Sequence, residues 1–160
     1  MSLHLVFKLK DMGIGEDIKQ DSFRNQFSKA IINIYYTNNW LNQKHHELFR
    51  SHGITTPQFN VLRILRGQHP NPATVNLIID RMLDKSSNAS RIVDKLESKG
   101  LVLRKQCPTD RRAVDVLISK KGLELLDEMD KEINQLEMSI QKLTEEEANL
   151  LSDLLDKLRS

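Results

Sequence analysis

Glycine and proline divide the middle of this 160-residue sequence into short segments, and this division constrains the fold more than any other feature. Gly53 ends a helical pattern that begins near residue 17, because glycine readily adopts the left-handed conformation that closes a helix. Thr55 and Gln58 then form a capping box with Pro57 in the first turn, which predicts the start of a second helix. The chain therefore changes from one long helix to a shorter one within a few residues.

Two more short helices are predicted after the breakers of residues 67–72. One covers about residues 74–83, and the next begins at an N-cap supplied by Ser86 and Ser87 and ends before Gly100. Two strand candidates follow, residues 101–106 and 114–119, joined by a polar loop. Three short helices followed by a hairpin is the order of elements in a winged helix-turn-helix.

Long helices flank this central module. We expect a loose arm over residues 1–15, whose first residues are either native or a cloning remnant, and one domain over residues 16–160. Within that domain, the winged helix covers about 54–119, and the flanking helices about 17–52 and 120–159. A second capping box, at Thr144 and Glu147, opens the last helix. The predicted fold class is mainly α with a small β-hairpin wing.

Composition narrows the class of protein further. No run of about 18 apolar residues is present, so no membrane span is expected, and the first residues lack the features of a secretory signal. The single cysteine cannot form an internal disulfide, which favours a cytoplasmic protein. The net charge is only +2, but residues 85–112 hold 8 basic and 3 acidic side chains, a net charge of +5. Such a block is typical of a surface that binds an anionic partner.

The fourth helix has the composition of a helix that enters the DNA major groove. Its apolar residues fall on one stripe, which would pack against the preceding helices. The remaining positions offer small polar groups near its start and cations further along, which can contact base edges and phosphates. The candidate DNA-binding residues on this helix are Ser87, Asn88, Ser90, Arg91 and Lys95.

The tip of the hairpin repeats this chemistry. Asp110, Arg111 and Arg112 place two guanidinium groups on a turn, with a carboxylate close enough to orient one of them. An arginine on a protruding loop suits the narrow minor groove, where negative potential is concentrated. We therefore expect the hairpin to contact the minor groove beside the fourth helix.

Residues 54–126 closely resemble the MarR family of bacterial transcription regulators. The matching motifs are Ile54-Thr55-x-x-Gln58, Ser90-Arg91-Ile92-Val93-Asp94-Lys95-Leu96-Glu97-x-x-Gly100-Leu101-Val102, Asp110-Arg111-Arg112 and Ser119-x-x-Gly122-x-x-Leu125. Residues 76–80 depart from the Glu-Leu-Ala pattern that the family commonly has in its third helix. The resemblance implies a ligand-responsive repressor that reads DNA with its fourth helix and wing tip, and whose terminal helices intertwine in a dimer.

The flanking helices carry more apolar surface than the central module can cover, which predicts a homodimer that binds a pseudo-palindromic site. The resemblance also implies a small phenolic or metabolite effector. Tyr35, Tyr36 and Trp40 are its candidate pocket, although ordinary dimer core is an alternative role for these residues.

Other functions have less support in the sequence. No catalytic motif, cofactor motif or phosphate-binding loop is present, so we expect neither an enzyme nor a cofactor. The adjacent His45 and His46 point about 100° apart on a helix, and no metal site is expected. Cys107 is interpreted as an incidental thiol rather than a redox sensor. The alternative function is a winged-helix module that binds protein without specific DNA binding.

Overall fold

The computed structural model describes residues 13–106 and 114–160, and these residues form two compact units. One unit ends at Arg50 and the other begins at Ser51. The first unit contains a short helix, α1 (Ile14–Asp17), and nearly all of a long helix, α2 (Gln26–Ser51). The second unit contains all the remaining elements.

The second unit has the element order of a winged helix-turn-helix followed by two further helices. Its elements are α3 (Thr56–Gln68), β1 (Ala73–Thr74), α4 (Val75–Arg81), α5 (Ala89–Ser98), β2 (Val102–Gln106), β3 (Val114–Ile118), α6 (Lys120–Ile140) and α7 (Glu145–Arg159). The mainly α fold with a small β wing is therefore confirmed. In the described part of the chain, no helix is both long and apolar enough to cross a membrane.

The β-sheet has three antiparallel strands in the order β1-β3-β2, one more than the sequence predicted. β2 pairs with β3 along its whole length, from Val102 opposite Ile118 to Gln106 opposite Val114. β1 adds only two residues to the other edge of β3, with Ala73 opposite Val116. A two-residue strand is too short to show the alternation that identifies strands in a sequence, which is why it was missed.

The core of the second unit lies where α3, α4 and α5 pack against the sheet and the first half of α6. Buried leucine, isoleucine, valine and methionine side chains fill it, and the largest fully buried ones are Leu62, Leu65, Ile78, Leu96, Leu126, Met129, Val61, Val93, Val102 and Val116. Close packing of this kind fixes the orientation of α5 relative to the hairpin.

The junction between β3 and α6 explains the Ser119 and Gly122 motif. The Ser119 hydroxyl accepts a hydrogen bond from the Gly122 N–H at 3.0 Å and donates one to the Gly100 carbonyl at 2.7 Å. A Cβ atom at Gly122 would overlap the carbonyl oxygen of Leu101. Glycine is therefore required where α6 leaves the sheet.

The observed helix starts agree with the predicted ones at both capping boxes, but the long helix of the first unit begins later than predicted. Thr55 and Thr144 each make the reciprocal capping bonds that were predicted. α2, however, begins at Gln26 rather than near residue 17, because the Asn25 side chain caps it by accepting from the Ser28 N–H at 2.8 Å. Of the predicted arm, residues 1–12 lie outside the described residues, while Ile14 is buried in α1.

Candidate nucleic-acid interface

The α5 helix separates apolar and polar residues as a DNA-reading helix requires. Ala89, Val93 and Leu96 are buried, and α5 packs through them against its neighbours. Arg91 and Lys95 are exposed. Neither forms an ion pair with any residue in the described part of the chain, so both positive charges are available to an anionic partner.

The cap of α5 is Asn88, and the expectation that Ser86 and Ser87 would supply it is wrong. The Asn88 Oδ1 atom accepts from the Arg91 N–H at 3.0 Å. The hydroxyls of Ser86 and Ser87 instead donate to the Asp84 carboxylate, at 2.6 and 2.7 Å. A carboxylate is a stronger acceptor than water, so it draws both serines into the turn before the helix.

The hydrogen bonds of Ser87 and Asn88 limit the contacts that these two candidate residues can make with DNA. The Ser87 hydroxyl has committed its hydrogen to Asp84, which leaves only its oxygen lone pairs for a further contact. The Asn88 amide oxygen already accepts one hydrogen bond, which leaves one of its two lone pairs and both Nδ2 hydrogens for a contact with a base. The bonds from Ser86 and Ser87 also hold the pKa of Asp84 below its ordinary value of 3.8.

A surface groove of about 410 Å³ runs between α5 and the start of α3. It brings together four of the five candidate residues at this helix, whereas the fifth, Ser90, is exposed and does not line the groove. The sequence did not predict that the start of α3 would line the same groove, although its capping box marked where that helix begins. The lining residues are Thr55, Pro57, Gln58, Ser87, Asn88, Arg91, Ile92 and Lys95.

Two cations of the basic block contact other groups of the second unit and do not line this groove. The Lys99 Nζ atom donates to the Gly53 carbonyl at 2.5 Å and to the Gln58 Oε1 atom at 3.2 Å. Arg104 on β2 contacts Asp94 on α5, and its Nε atom lies 3.4 Å from a Glu97 carboxylate oxygen. Net charge along the sequence could not separate these cations from Arg91 and Lys95.

The candidate DNA-binding residues at the tip of the hairpin lie outside the described residues. Asp110, Arg111 and Arg112 fall between residues 107 and 113, as does Cys107. The described part of the hairpin ends at Gln106 on one strand and resumes at Val114 on the other. Their expected contact with the minor groove stays a prediction.

In the first unit, two of the three candidate effector residues share a pocket of about 270 Å³. Tyr36 and Trp40 line it together with Asp17, Asn33 and Thr37, whereas Tyr35 is exposed and does not line it. Aromatic rings beside hydrogen-bonding groups suit a small ring compound. Across residues 13–106 and 114–160, no group of three or more metal-ligating side chains is arranged to hold a metal ion.

Comparison with known proteins gives consistent matches. Residues 54–114 match the model of the MarR family. The HTH-type transcriptional regulator MhqR of Bacillus subtilis is 32% identical over 119 residues, which cover 74% of this chain and 81% of that protein.

Solved structures extend this likeness to the fold. A MarR transcription factor from Planctomyces limnophilus is 28% identical with a TM-score of 0.63, and the match covers 86% of this chain and 93% of that one. A cysteine-to-serine mutant of MarR from E. coli, complexed with operator DNA, is 25% identical with a TM-score of 0.72, and the match covers 86% of this chain and 99% of that one.

Proposed function

Because the chain belongs to the MarR family of DNA-binding transcription regulators, we propose that it binds a specific double-stranded site as a homodimer and represses transcription until a small effector releases it. Like other members of this family, it is a regulator and not an enzyme. The proposal places the protein in the cytoplasm, together with the DNA.

The observation that carries the proposal is the exposed polar face of α5. This face presents Arg91 and Lys95 in an open groove, and a buried apolar face holds the helix in place. A helix of this kind fits the major groove, where arginine can pair with guanine and lysine with phosphate. Asp110, Arg111 and Arg112 would then contact the neighbouring minor groove.

The homodimer is supported by apolar surface that this chain leaves uncovered. In α2, Phe27 and Ile31 are exposed, and in α7 no residue is buried. Two copies that cover these faces would present two α5 helices, and the half-sites they read would lie about one helical turn, or roughly 34–36 Å, apart.

The effector is proposed from the pocket at Tyr36 and Trp40. Its volume of about 270 Å³ lies just below the usual range for ligand sites, which starts at roughly 300 Å³, and this favours a phenolic or another single-ring metabolite. Such a ring could stack on the aromatic side chains, while Asn33 and Thr37 could hydrogen-bond its substituents.

Selection of bound fragments from random duplex DNA, followed by affinity measurements on the selected site, tests the proposal. Arg91→Ala should weaken specific binding by about 1–3 kcal/mol and relax the preference at one base pair, since an arginine that pairs with guanine carries that much discrimination. The matched control is Arg63→Ala, which also removes a cation of the second unit, but one that is paired with Asp130 on α6 at 3.3 Å.

The control should bind the selected site with nearly the affinity of the unmodified protein. If selection returns no consensus, specific DNA binding is ruled out. If Arg91→Ala loses affinity equally for every duplex, Arg91 contacts only phosphate, and the base-reading role assigned to it is wrong.

A further inference from the structure

Arg104 joins β2 of the hairpin to α5 through three groups that lie on one face of that helix. Its Nη2 atom contacts the Asp94 carboxylate and donates to the Ser90 carbonyl at 3.3 Å, and its Nε atom lies 3.4 Å from the Glu97 carboxylate. Residues 90, 94 and 97 are spaced by four and three, so one side chain spans two turns of the helix. Arg104 itself stands on β2, opposite the buried Val116 of β3.

The two carboxylates oppose the function proposed for this helix. Asp94 and Glu97 are about half exposed and lie on the helix that carries Arg91 and Lys95. DNA presents a dense array of phosphates, and negative side chains beside it raise the free energy of the complex. Without Arg104, α5 would bring two uncompensated negative charges to the duplex.

We propose that Arg104 is a positioning residue whose charge masks Asp94 and Glu97, so that α5 presents a positive surface to DNA. This inference rests on the proposed DNA-binding function. The Arg104 side chain is 27% exposed, its Nε atom is buried, and its Nη2 atom contacts Asp94 and the Ser90 carbonyl, so both of these nitrogens are directed at α5. Arg104 therefore influences DNA binding indirectly, because it neutralises Asp94 and Glu97.

Arg104→Gln and a matched control test the masking. Arg104→Gln should bind the selected duplex about tenfold more weakly, whereas Arg104→Lys, which keeps the charge, should stay within about threefold of the unmodified protein. The control is Arg66→Gln: Arg66 has a similar exposure of 25% and bonds Asp130 on α6 at 2.6 Å. It should lower the unfolding temperature without a comparable loss of affinity.

Removal of the two carboxylates distinguishes charge masking from a structural role or a phosphate contact. The triple variant Arg104→Gln, Asp94→Asn, Glu97→Gln should bind at least as tightly as the unmodified protein, because the net charge of the three side chains changes from −1 to 0. If the triple variant does not regain affinity, the proposal is overturned. That result would mean that Arg104 makes a structural contact or a phosphate contact, because neutral residues restore neither.

Each outcome can be assigned to one claim. If the unmodified protein binds no duplex specifically, the proposed function fails. If it binds and Arg104→Gln binds equally well, only the masking fails. Should Arg104→Gln not fold, the double variant Asp94→Asn, Glu97→Gln decides: masking predicts binding about threefold tighter than that of the unmodified protein, and unchanged or weaker binding contradicts it.

Discussion

The helices α5 and α7 are both amphipathic, but only α5 finds a partner for its apolar face within its own chain. Val93 and Leu96 of α5 are completely buried. In α7, by contrast, Leu151, Leu154 and Leu158 remain about half exposed, although they follow the same helical spacing. The comparison teaches that an apolar stripe predicts that a face will be buried, but not whether the same chain will bury it.

The apolar residues of the helix α6 are buried near its start, as in α5, and more exposed near its end, as in α7. Its buried residues Leu126, Met129 and Ile133 lie within the first two thirds of the helix. Further along, Ile140 is only half-buried, and Leu143 just beyond the helix is exposed. The core of one chain therefore ends near Ile133, and the apolar residues beyond it are the surface that we assign to the homodimer.

The largest expected effect comes from charges placed on the uncovered face of α7. The double variant Leu151→Asp, Leu154→Asp should convert a dimer of twice 18.5 kDa into a monomer of 18.5 kDa at micromolar concentration. It should also weaken binding to the selected duplex by roughly a hundredfold or more, because the second half-site is no longer engaged in the same complex. Sedimentation equilibrium and fluorescence anisotropy measure the two effects.

The double variant Asn149→Asp, Ser152→Asp is the control, since it adds the same charge to exposed polar positions of the helix. It should remain dimeric. A dimeric Leu151→Asp, Leu154→Asp variant, or an unmodified protein of 18.5 kDa, would show that α7 is not part of the interface.

A smaller effect is expected when truncation of Leu96 creates a cavity beneath α5. Leu96→Ala should lower the free energy of unfolding by about 2–5 kcal/mol, because a fully buried leucine is truncated in a packed core. Leu83→Ala makes the same chemical change where the side chain is 89% exposed, and it should stay within about 0.5 kcal/mol of the unmodified protein. Urea denaturation at one fixed protein concentration compares them, and equal losses would contradict the burial of α5.

The smallest effect concerns the turn before α5. Because Ser86 and Ser87 lower the pKa of Asp84 below 3.8, the Asp84 carboxylate contributes stability above that ordinary value, and the contribution is lost as the pH falls through the lowered pKa. Asp84→Asn should therefore have a lower unfolding temperature than the unmodified protein at pH 7, and the difference should shrink towards pH 3. A difference that is the same at both pH values would contradict this account of the turn.

The sequence predicted the parts of the fold that depend on neighbouring residues. The capping boxes at Thr55 and Thr144 are local hydrogen-bond patterns, and both form as expected. Positive φ angles at Gly53 and Gly100 likewise follow from a conformation that few other residues adopt. Both helix ends could therefore be placed from the sequence alone.

Prediction from the sequence failed where several residues compete for one hydrogen-bond partner, or where the partners are distant along the chain. Ser86 and Ser87 were good capping residues, but the nearby carboxylate of Asp84 accepts their hydrogens, and Asn88 caps the helix instead. The ion pairs of Arg104 join a strand to a helix, a proximity that only the folded chain creates. A count of charges cannot distinguish such an arginine from Arg91.

The ratio of affinities for the selected duplex and for a scrambled duplex of equal length tests the central claim most directly. Fluorescence anisotropy should measure it over a series of salt concentrations. Specific recognition by two α5 helices predicts a ratio of about a thousand or more, with both affinities falling steeply as salt is raised. Equal affinity for the two duplexes at every salt concentration would contradict the claim that this protein reads a DNA sequence.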